Sequence, residues 1–224
     1  MWYLLLMAEF ERLADPLKAV NMAAYMKNKF MFLGIQKPVR AAFVKEYFSA
    51  VKDLPIEWDF VQDCYKIDYR EYQYIALDYL KVNIKKLKLD DLDKLKWLIV
   101  NKSWWDTCDT IDELVGHLLL QHPQIKETMI EWSLSDNIWL KRVSINCQLG
   151  FKDKTDTNLL ESVICNNLGS DEFFVNKAIG WALREYGKSN MEWVKAFLNK
   201  YDSQLSKLSY KEASKRIEND KSLS

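Results

Sequence analysis

The sequence predicts an all-α protein, and three observations favour this class. Glycine and proline are scarce, with 6 and 4 among 224 residues, whereas an all-β chain would need many more turn residues. Apolar residues recur at positions i, i+3 and i+4 in segment after segment. Short polar turns separate these segments, and helix pairs repeat at a spacing of roughly 30 to 40 residues. This spacing predicts a degenerate α-solenoid, in which each helix pair covers its core only with its neighbours.

The N-terminal run 2–8 is apolar, but it does not have the pattern of a signal peptide. No basic segment precedes it, no small-residue cleavage site follows it, and Glu9 and Glu11 come directly after it. We therefore expect an amphipathic first helix.

Caps and breakers place the remaining helices. Asp15 and Pro16 are typical of an N-cap and a first helical residue. We expect a single domain over residues 1–224, with a polar, frayed tail at 218–224. The predicted helices cover about 16–32, 39–51, 55 onward, 68–84, 90–100, 110–121, 123–133, 136–149, 155–165, 170–186 and 190–199.

Several chemistries find no support in the sequence. The cysteines form no C-x-x-C pair, and the chain has two histidines, His117 and His122, which argues against a zinc site. The longest apolar runs are far shorter than a membrane span, so no membrane partner is expected. The chain also lacks the nucleotide-binding motifs G-x-x-x-x-G-K and G-x-G-x-x-G and the hydrolase motifs H-E-x-x-H and G-x-S-x-G. Reduced thiols in a cytoplasmic protein are the simplest interpretation of Cys64, Cys108, Cys147 and Cys165.

The segment 103–109 (Ser-Trp-Trp-Asp-Thr-Cys-Asp) is the most informative part of the chain. If it is helical, Trp105 and Asp109 are at i and i+4 and share one face. An indole beside a carboxylate suits a cationic ring or a centre where positive charge develops. Two further clusters of tryptophan with basic residues follow, at 138–142 and 180–184.

Each of these residues also has a purely structural interpretation. Asp109 could cap a helix beginning near Thr110, which is a common duty of aspartate. Trp181 could belong wholly to the core. Arg142 could form a surface ion pair with Asp136 or Glu185 that contributes little to stability.

Five segments, in this order, resemble the bacterial AlkD-type DNA alkylation repair proteins. The resemblance covers about 25–216, nearly the whole chain. It implies a HEAT-like repeat α-solenoid, a superhelix of antiparallel helix pairs, in agreement with the helical periodicity. The segments are 25–28 (Tyr-Met-Lys-Asn), 32–36 (Phe-Leu-Gly-Ile-Gln), 103–106 with Asp109, 136–142 (Asp-Asn-Ile-Trp-Leu-Lys-Arg) and 173–186.

The resemblance also implies a function. It implies that the chain is a monomeric N-glycosylase, which releases cationic N3- and N7-alkylpurines, such as 3-methyladenine and 7-methylguanine, from duplex DNA without a metal or cofactor. It assigns to Asp109 the carboxylate that stabilises positive charge on the deoxyribose and helps to position water. Trp105 and Trp181 would lie against the sugar and the lesion, and Arg142 would hold a backbone phosphate. Candidate DNA contacts elsewhere are Tyr25, Gln36, Lys27, Arg40 and Lys141.

The charge balance leaves a second function open. The chain has 32 basic and 32 acidic residues, whereas duplex-binding proteins gain much of their affinity from lysine and arginine. The segment 11–20, where AlkD-type enzymes carry a helix that enters the minor groove, is short and contains Asp15 and Pro16. The alternative is a catalytically weak or inactive paralogue that lacks the minor-groove helix. Such a protein would bind DNA weakly or serve as an interaction scaffold.

Overall fold

The computed structural model describes the backbone of residues 3–221 and the side chains of residues 3–215. Thirteen α-helices lie in this part of the chain, and no β-strand occurs within it, which confirms the predicted all-α, helical-repeat class. None of the helices between residues 3 and 221 is long and apolar enough to cross a membrane. The chain packs as two compact units, one up to Leu87 and one from Lys88 onward. A single domain over residues 1–224 stays a prediction.

The N-terminal unit contains five helices around an aromatic core. Helix α1 packs on α3, α3 on α5, and α4 on α5. Helix α1 buries Tyr3, Leu6 and Phe10 at i, i+3 and i+7. The predicted amphipathic pattern is wrong, because its outer face carries the exposed apolar side chains Leu4 and Leu5. Phe60 stacks edge-on against Tyr79 at 5.2 Å in the same core. The helices are α1 (Tyr3–Phe10), α2 (Pro16–Tyr25), α3 (Lys37–Ala50), α4 (Trp58–Lys66) and α5 (Arg70–Val82).

Helix α2 begins where the sequence predicts but ends earlier. The Asp15 carboxylate accepts a hydrogen bond from the Lys18 backbone N–H, and Pro16 is the first residue of the helix. The predicted extension to residue 32 is wrong, because Lys27 and Asn28 adopt left-handed conformations with φ of 57° and 55°. No residue of α2 is buried, so this helix is an exposed ten-residue element.

The loop after α2 is held by one carboxylate. Glu71, fully buried on α5, accepts the backbone N–H groups of Leu33, Gly34 and Ile35 at 2.8–3.0 Å. Gly34 has a φ of +88°, and a Cβ there would overlap the carbonyl oxygen of Asp15. The glycine and the carboxylate together fix the chain that leads from α2 to α3.

The C-terminal unit contains eight helices. Within it α7, α9, α11 and α13 pack side by side, and α6, α8 and α12 pack against their partners α7, α9 and α11. Helix α7 begins five residues before the predicted start, after Trp104 in an extended conformation. The helices are α6 (Leu92–Val100), α7 (Trp105–Gln121), α8 (Lys126–Ser133), α9 (Ile138–Asn146), α10 (Thr157–Cys165), α11 (Phe173–Tyr186), α12 (Met191–Lys200) and α13 (Lys207–Lys221).

Helix α13 was not predicted, because its sequence is strongly polar. It packs closely on α11, where a Cβ on Gly180 would lie 2.5 Å from the Cβ of Glu212 and 2.8 Å from the oxygen of Ser209. The Glu212 carboxylate accepts hydrogen bonds from Lys177 and Arg184 of α11, both at 2.7 Å. Helix α13 includes residues 218–221 of the expected frayed tail, and residues 222–224 lie outside the described part of the chain.

Candidate active site

A carboxylate and a guanidinium pair between α7 and α9. Arg142 donates to Oδ1 of Asp109 through Nε at 2.9 Å and through Nη2 at 2.6 Å. Trp105 opens α7, so Asp109 lies one turn later on the same face, as predicted. The Asp109 side chain keeps 23% of its accessible surface, whereas that of Arg142 keeps 4%. The pair is therefore buried on the arginine side and open on the aspartate side.

Arg142 also connects α9 to α11. Its Nη1 donates to the backbone carbonyl of Phe174 at 2.9 Å, so every nitrogen of the guanidinium has an acceptor. The guanidinium carbon lies 5.9 Å from the centre of the Trp181 ring, at the edge of cation–π range. Three helices of the C-terminal unit are thus joined at one side chain.

The adjacent indoles Trp104 and Trp105 have different surroundings. Trp104 packs against Trp139 at 5.5 Å and against Phe174 at 4.9 Å between ring centres, and the latter two rings are 5.0 Å apart. This triangle fixes the start of α7 against the starts of α9 and α11. Trp105 and Trp181 are both only half-buried. Trp104 is also half-buried, so its ring contacts and not its exposure distinguish it from these two indoles.

The environment of Asp109 acts on its charge in two directions. Burial raises the pKa of this carboxyl, the Arg142 guanidinium lowers it, and the Asp106 carboxylate raises it, so the net pKa is above the ordinary value. Both hydrogen bonds from Arg142 end on Oδ1, and Oδ2 accepts none from the described residues. Oδ2 is thus the oxygen available to a ligand.

The structure decides between the alternatives that the sequence leaves open. Asp109 lies in the second turn of α7, so it does not cap the helix. Arg142 pairs with Asp109, while Glu185 pairs with Lys188. Trp181 is not wholly buried.

The neighbouring thiol is inert. Cys108 is buried, and burial raises the pKa of its thiol. All four cysteines, each within the described part of the chain, are free thiols. Between residues 3 and 215, no group of three histidine, cysteine, aspartate or glutamate side chains could hold a metal ion.

The candidate DNA contacts of the N-terminal unit have varied surroundings. Tyr25 and Gln36 line one concavity of about 260 Å³, together with Phe32 and Tyr74. Arg40 is only 6% exposed, donates from Nε to Asp78 at 2.8 Å and lies over the Tyr74 ring at 4.8 Å.

The remaining basic candidates are more accessible. Lys27 is exposed in the left-handed turn after α2. Lys141, in the C-terminal unit, is half-buried next to Arg142 on α9. DNA contacts at all these positions stay predictions.

Three residues of the site were not found from the sequence. Phe174 takes part through its backbone carbonyl, which no side-chain motif indicates. Asp112 and Asn146 lie one turn beyond Asp109 and Arg142, both buried in the same interface. The i+3 and i+4 spacings could have indicated them.

The fold and the site define an all-helical protein in which a carboxylate–arginine pair lies near two half-buried indoles. The sequence profile described as DNA alkylation repair enzyme matches residues 6–217. A solved structure described as a predicted DNA alkylation repair enzyme from Enterococcus faecalis is 34% identical, with a TM-score of 0.84. The match covers 90% of this chain and 95% of that one. No curated protein matches the sequence. The chain belongs to the DNA alkylation repair enzyme family.

Proposed function

We propose that this protein hydrolyses the N-glycosidic bond of cationic N3- and N7-alkylpurines in duplex DNA, and that Asp109 is its catalytic carboxylate. The observation that carries the proposal is the partly exposed Asp109 carboxylate, which Arg142 holds through Oδ1 alone. Asp109 lies one turn after Trp105, and the Arg142 guanidinium lies 5.9 Å from the centre of the Trp181 ring. Family membership and the likeness to the Enterococcus faecalis protein support it.

The chemistry needs one carboxylate and little else. Alkylation at N3 or N7 leaves a positive charge on the purine, so the base departs as a neutral molecule when the bond to C1′ breaks. The electron pair of that bond stays with the base, and positive charge develops on the sugar. A carboxylate fixed in a partly desolvated site stabilises this charge more strongly than water does. Water then adds to C1′ and loses a proton, which the Asp109 carboxylate can accept.

The two half-buried indoles suit a cationic ligand. An indole face attracts a cation within about 6 Å of the ring centre, and the attraction grows as water is excluded. Trp105 and Trp181 would therefore favour the alkylated purine or the charged sugar over a neutral nucleotide. A site of this kind discriminates by charge.

Arg142 has a second role in this proposal. In the free protein its guanidinium is satisfied by Asp109 and Phe174. A phosphate bound near the lesion would compete for the same donors, because guanidinium binds both anions through paired hydrogen bonds. DNA binding would then loosen the contact to Oδ1 and leave Asp109 a stronger proton acceptor, because Arg142 lowers its pKa.

A second candidate function rests on the charges. The formal net charge is zero, and Arg40 is engaged by a carboxylate. Weak DNA binding follows if few basic side chains are available to phosphates. A relative that binds DNA without excising bases, or that serves as an interaction scaffold, is the function this observation favours.

One experiment separates the two functions. A methylated duplex is incubated with the protein in large excess, and release of 7-methylguanine is followed in a single turnover. Excess protein compensates for weak binding, so the rate reports the chemical step. We expect release well above the spontaneous rate, with Asp109→Asn reducing it about a hundredfold or more.

The matched control is Glu113→Gln, one turn from Asp109 on the same helix. It removes an exposed carboxylate of α7 without removing the partner of Arg142, and it should leave release as in the wild type. Duplex affinity is measured for both variants by fluorescence anisotropy. No release by the wild type at saturating protein would refute the glycosylase and favour the non-enzymatic relative.

A further inference from the structure

Asp112 is a buried acid that the proposed chemistry does not use. It lies one turn beyond Asp109 on α7, is 4% exposed, and forms no ion pair with the described residues. Its Oδ2 has no hydrogen-bond partner in the same part of the chain. A carboxylate in such a position is costly, because burial removes its hydration and no ion pair replaces it.

The partner of Asp112 across the interface is an amide. Asn146 lies one turn beyond Arg142 on α9, is 1% exposed, and neither Nδ2 nor Oδ1 has a hydrogen-bond partner among the described residues. Below this pair, a Cβ on Gly116 would overlap the carbonyl oxygen of Cys147, so the two backbones approach closely. Residue numbers rise together along both helices, and they therefore run in the same direction.

The other charged groups near Asp112 do not supply a cation. Glu113, the next residue, is exposed, and Asp109 is itself an anion. On the packed helix α6 the charged side chains of Asp93, Lys94 and Lys96 are all exposed. Arg142 is the cation that acts on Asp112, and its hydrogen bonds go to Asp109 and Phe174.

We propose that Asp112 is protonated in the folded protein and acts as a positioning residue. Because it is neutral, Arg142 pairs with Asp109 alone. The interface between α7 and α9 then contains one carboxylate for one guanidinium. A neutral Asp112 also complements Asn146, since a carboxylic acid and an amide can each donate and accept a hydrogen bond.

Electrostatics agrees with this assignment. Burial raises the pKa of Asp112 well above its ordinary value, and the Asp109 carboxylate raises it further. Arg142 and Asn146 act in the opposite direction but do not offset the burial. Were Asp112 ionised, two carboxylates would compete for one guanidinium, and the hold on Asp109 would weaken.

The first test is the dependence of unfolding on pH. Asp112→Asn is nearly isosteric and permanently neutral, so it mimics the protonated acid. A proton held by the folded but not by the unfolded chain makes the unfolding equilibrium constant rise about tenfold per pH unit above the unfolded pKa of about 3.9. We expect the wild type to show this extra dependence between about pH 5 and 7, and Asp112→Asn to lack it.

The control for this test is Glu113→Gln, which removes an exposed carboxylate at the adjacent position of α7. It should leave the dependence as in the wild type. Equal pH dependence for the wild type and Asp112→Asn would overturn the proposal, because it would mean that Asp112 is ionised when folded. The measurement needs no substrate, so it stands whether or not the chain is a glycosylase.

A second measurement avoids the variant altogether. Carboxyl ¹³C NMR of the wild type should show one aspartate resonance that stays in its protonated position through neutral pH. If every aspartate resonance has moved to its ionised position by pH 7, Asp112 does not hold the proton.

The consequence for excision rests on the proposed function. The acid limb of the single-turnover pH–rate profile reports the pKa of Asp109. Asp112→Asn should not move this limb, because the side chain at position 112 is neutral in the wild type and in the variant. A shift of that limb to lower pH in Asp112→Asn would show an ionised Asp112 and overturn the proposal. Absence of excision in every variant would refute the glycosylase alone.

Discussion

Arg142 donates two hydrogen bonds to one oxygen of Asp109, Oδ1, and none to the other. Oδ2 therefore keeps its full capacity to accept hydrogen bonds, on a side chain of which 23% remains exposed. A symmetrical pair using both oxygens would leave neither of them without a hydrogen bond to the guanidinium. The one-sided contact is what makes this ion pair suited to chemistry as well as to packing.

Removing the guanidinium should change the pH at which Asp109 works. Arg142 lowers the Asp109 pKa, so Arg142→Ala should raise it and move the acid side of the excision profile to higher pH. Because Asp109 acts as a carboxylate, excision is lost as the pH falls through this pKa. The unpaired carboxylate should also destabilise the fold by about 3 kcal/mol. Single-turnover rates across pH and denaturant unfolding check both effects. Lys141→Ala, on the same helix, is the control and should leave the profile in place.

The two adjacent indoles should separate stability from activity. Trp104→Ala removes one corner of an aromatic triangle and should cost about 3 kcal/mol of unfolding free energy. Trp105→Ala should cost less stability, because Trp105 lies outside that triangle, but should reduce excision about tenfold or more. Thermal unfolding and single-turnover release are measured for both. An equal loss of stability from the two substitutions would show that the triangle does not distinguish them.

The close contact of α11 with α13 should not tolerate a methyl group at Gly180. Its Cβ would lie 2.5 Å from the Glu212 Cβ and 2.8 Å from the Ser209 oxygen, so Gly180→Ala should destabilise the protein by about 2 kcal/mol. Gly187→Ala, at the C-cap of the same helix, is the matched control. The nearest atom to its Cβ is 3.3 Å away, and a much smaller change is expected. Chemical denaturation of both variants decides whether the contact is as tight as the distances indicate.

The Glu71 carboxylate should matter for stability although it is far from the ion pair in sequence. Glu71→Gln replaces a charged acceptor of three backbone N–H groups by an amide that presents one oxygen and an opposing NH₂ group. We expect a loss of about 3 kcal/mol. Glu131→Gln, at an exposed position, serves as the control and should be within about 0.5 kcal/mol of the wild type. If Glu71→Gln is no less stable than this control, the carboxylate does not hold the loop.

Local features of the fold could be predicted wherever the cause lies within one turn. The cap by Asp15 depends on an amide three residues away, and Trp105 and Asp109 share a face because both lie on one helix. The predicted length of α2 was wrong because the left-handed turn begins at Lys27, a residue type that rarely adopts this conformation, and only then continues at Asn28, a type that does so more often. Helix α13 escaped prediction because its burial depends on α11, whose sequence is far from its own.

The sequence by itself determined the helical class, the resemblance to a repair family, and the identity of Asp109, Arg142, Trp105 and Trp181 as candidates. Periodicity and motif order are written along the chain, so they can be found without coordinates. Only the tertiary structure decided that Arg142 binds Asp109, and that Phe174 supplies a carbonyl to the same guanidinium. These contacts join residues 32 and 33 positions apart, and the packing of α7, α9 and α11 sets their distances. No local preference of the chain specifies such distances, because they depend on how separate helices fit together.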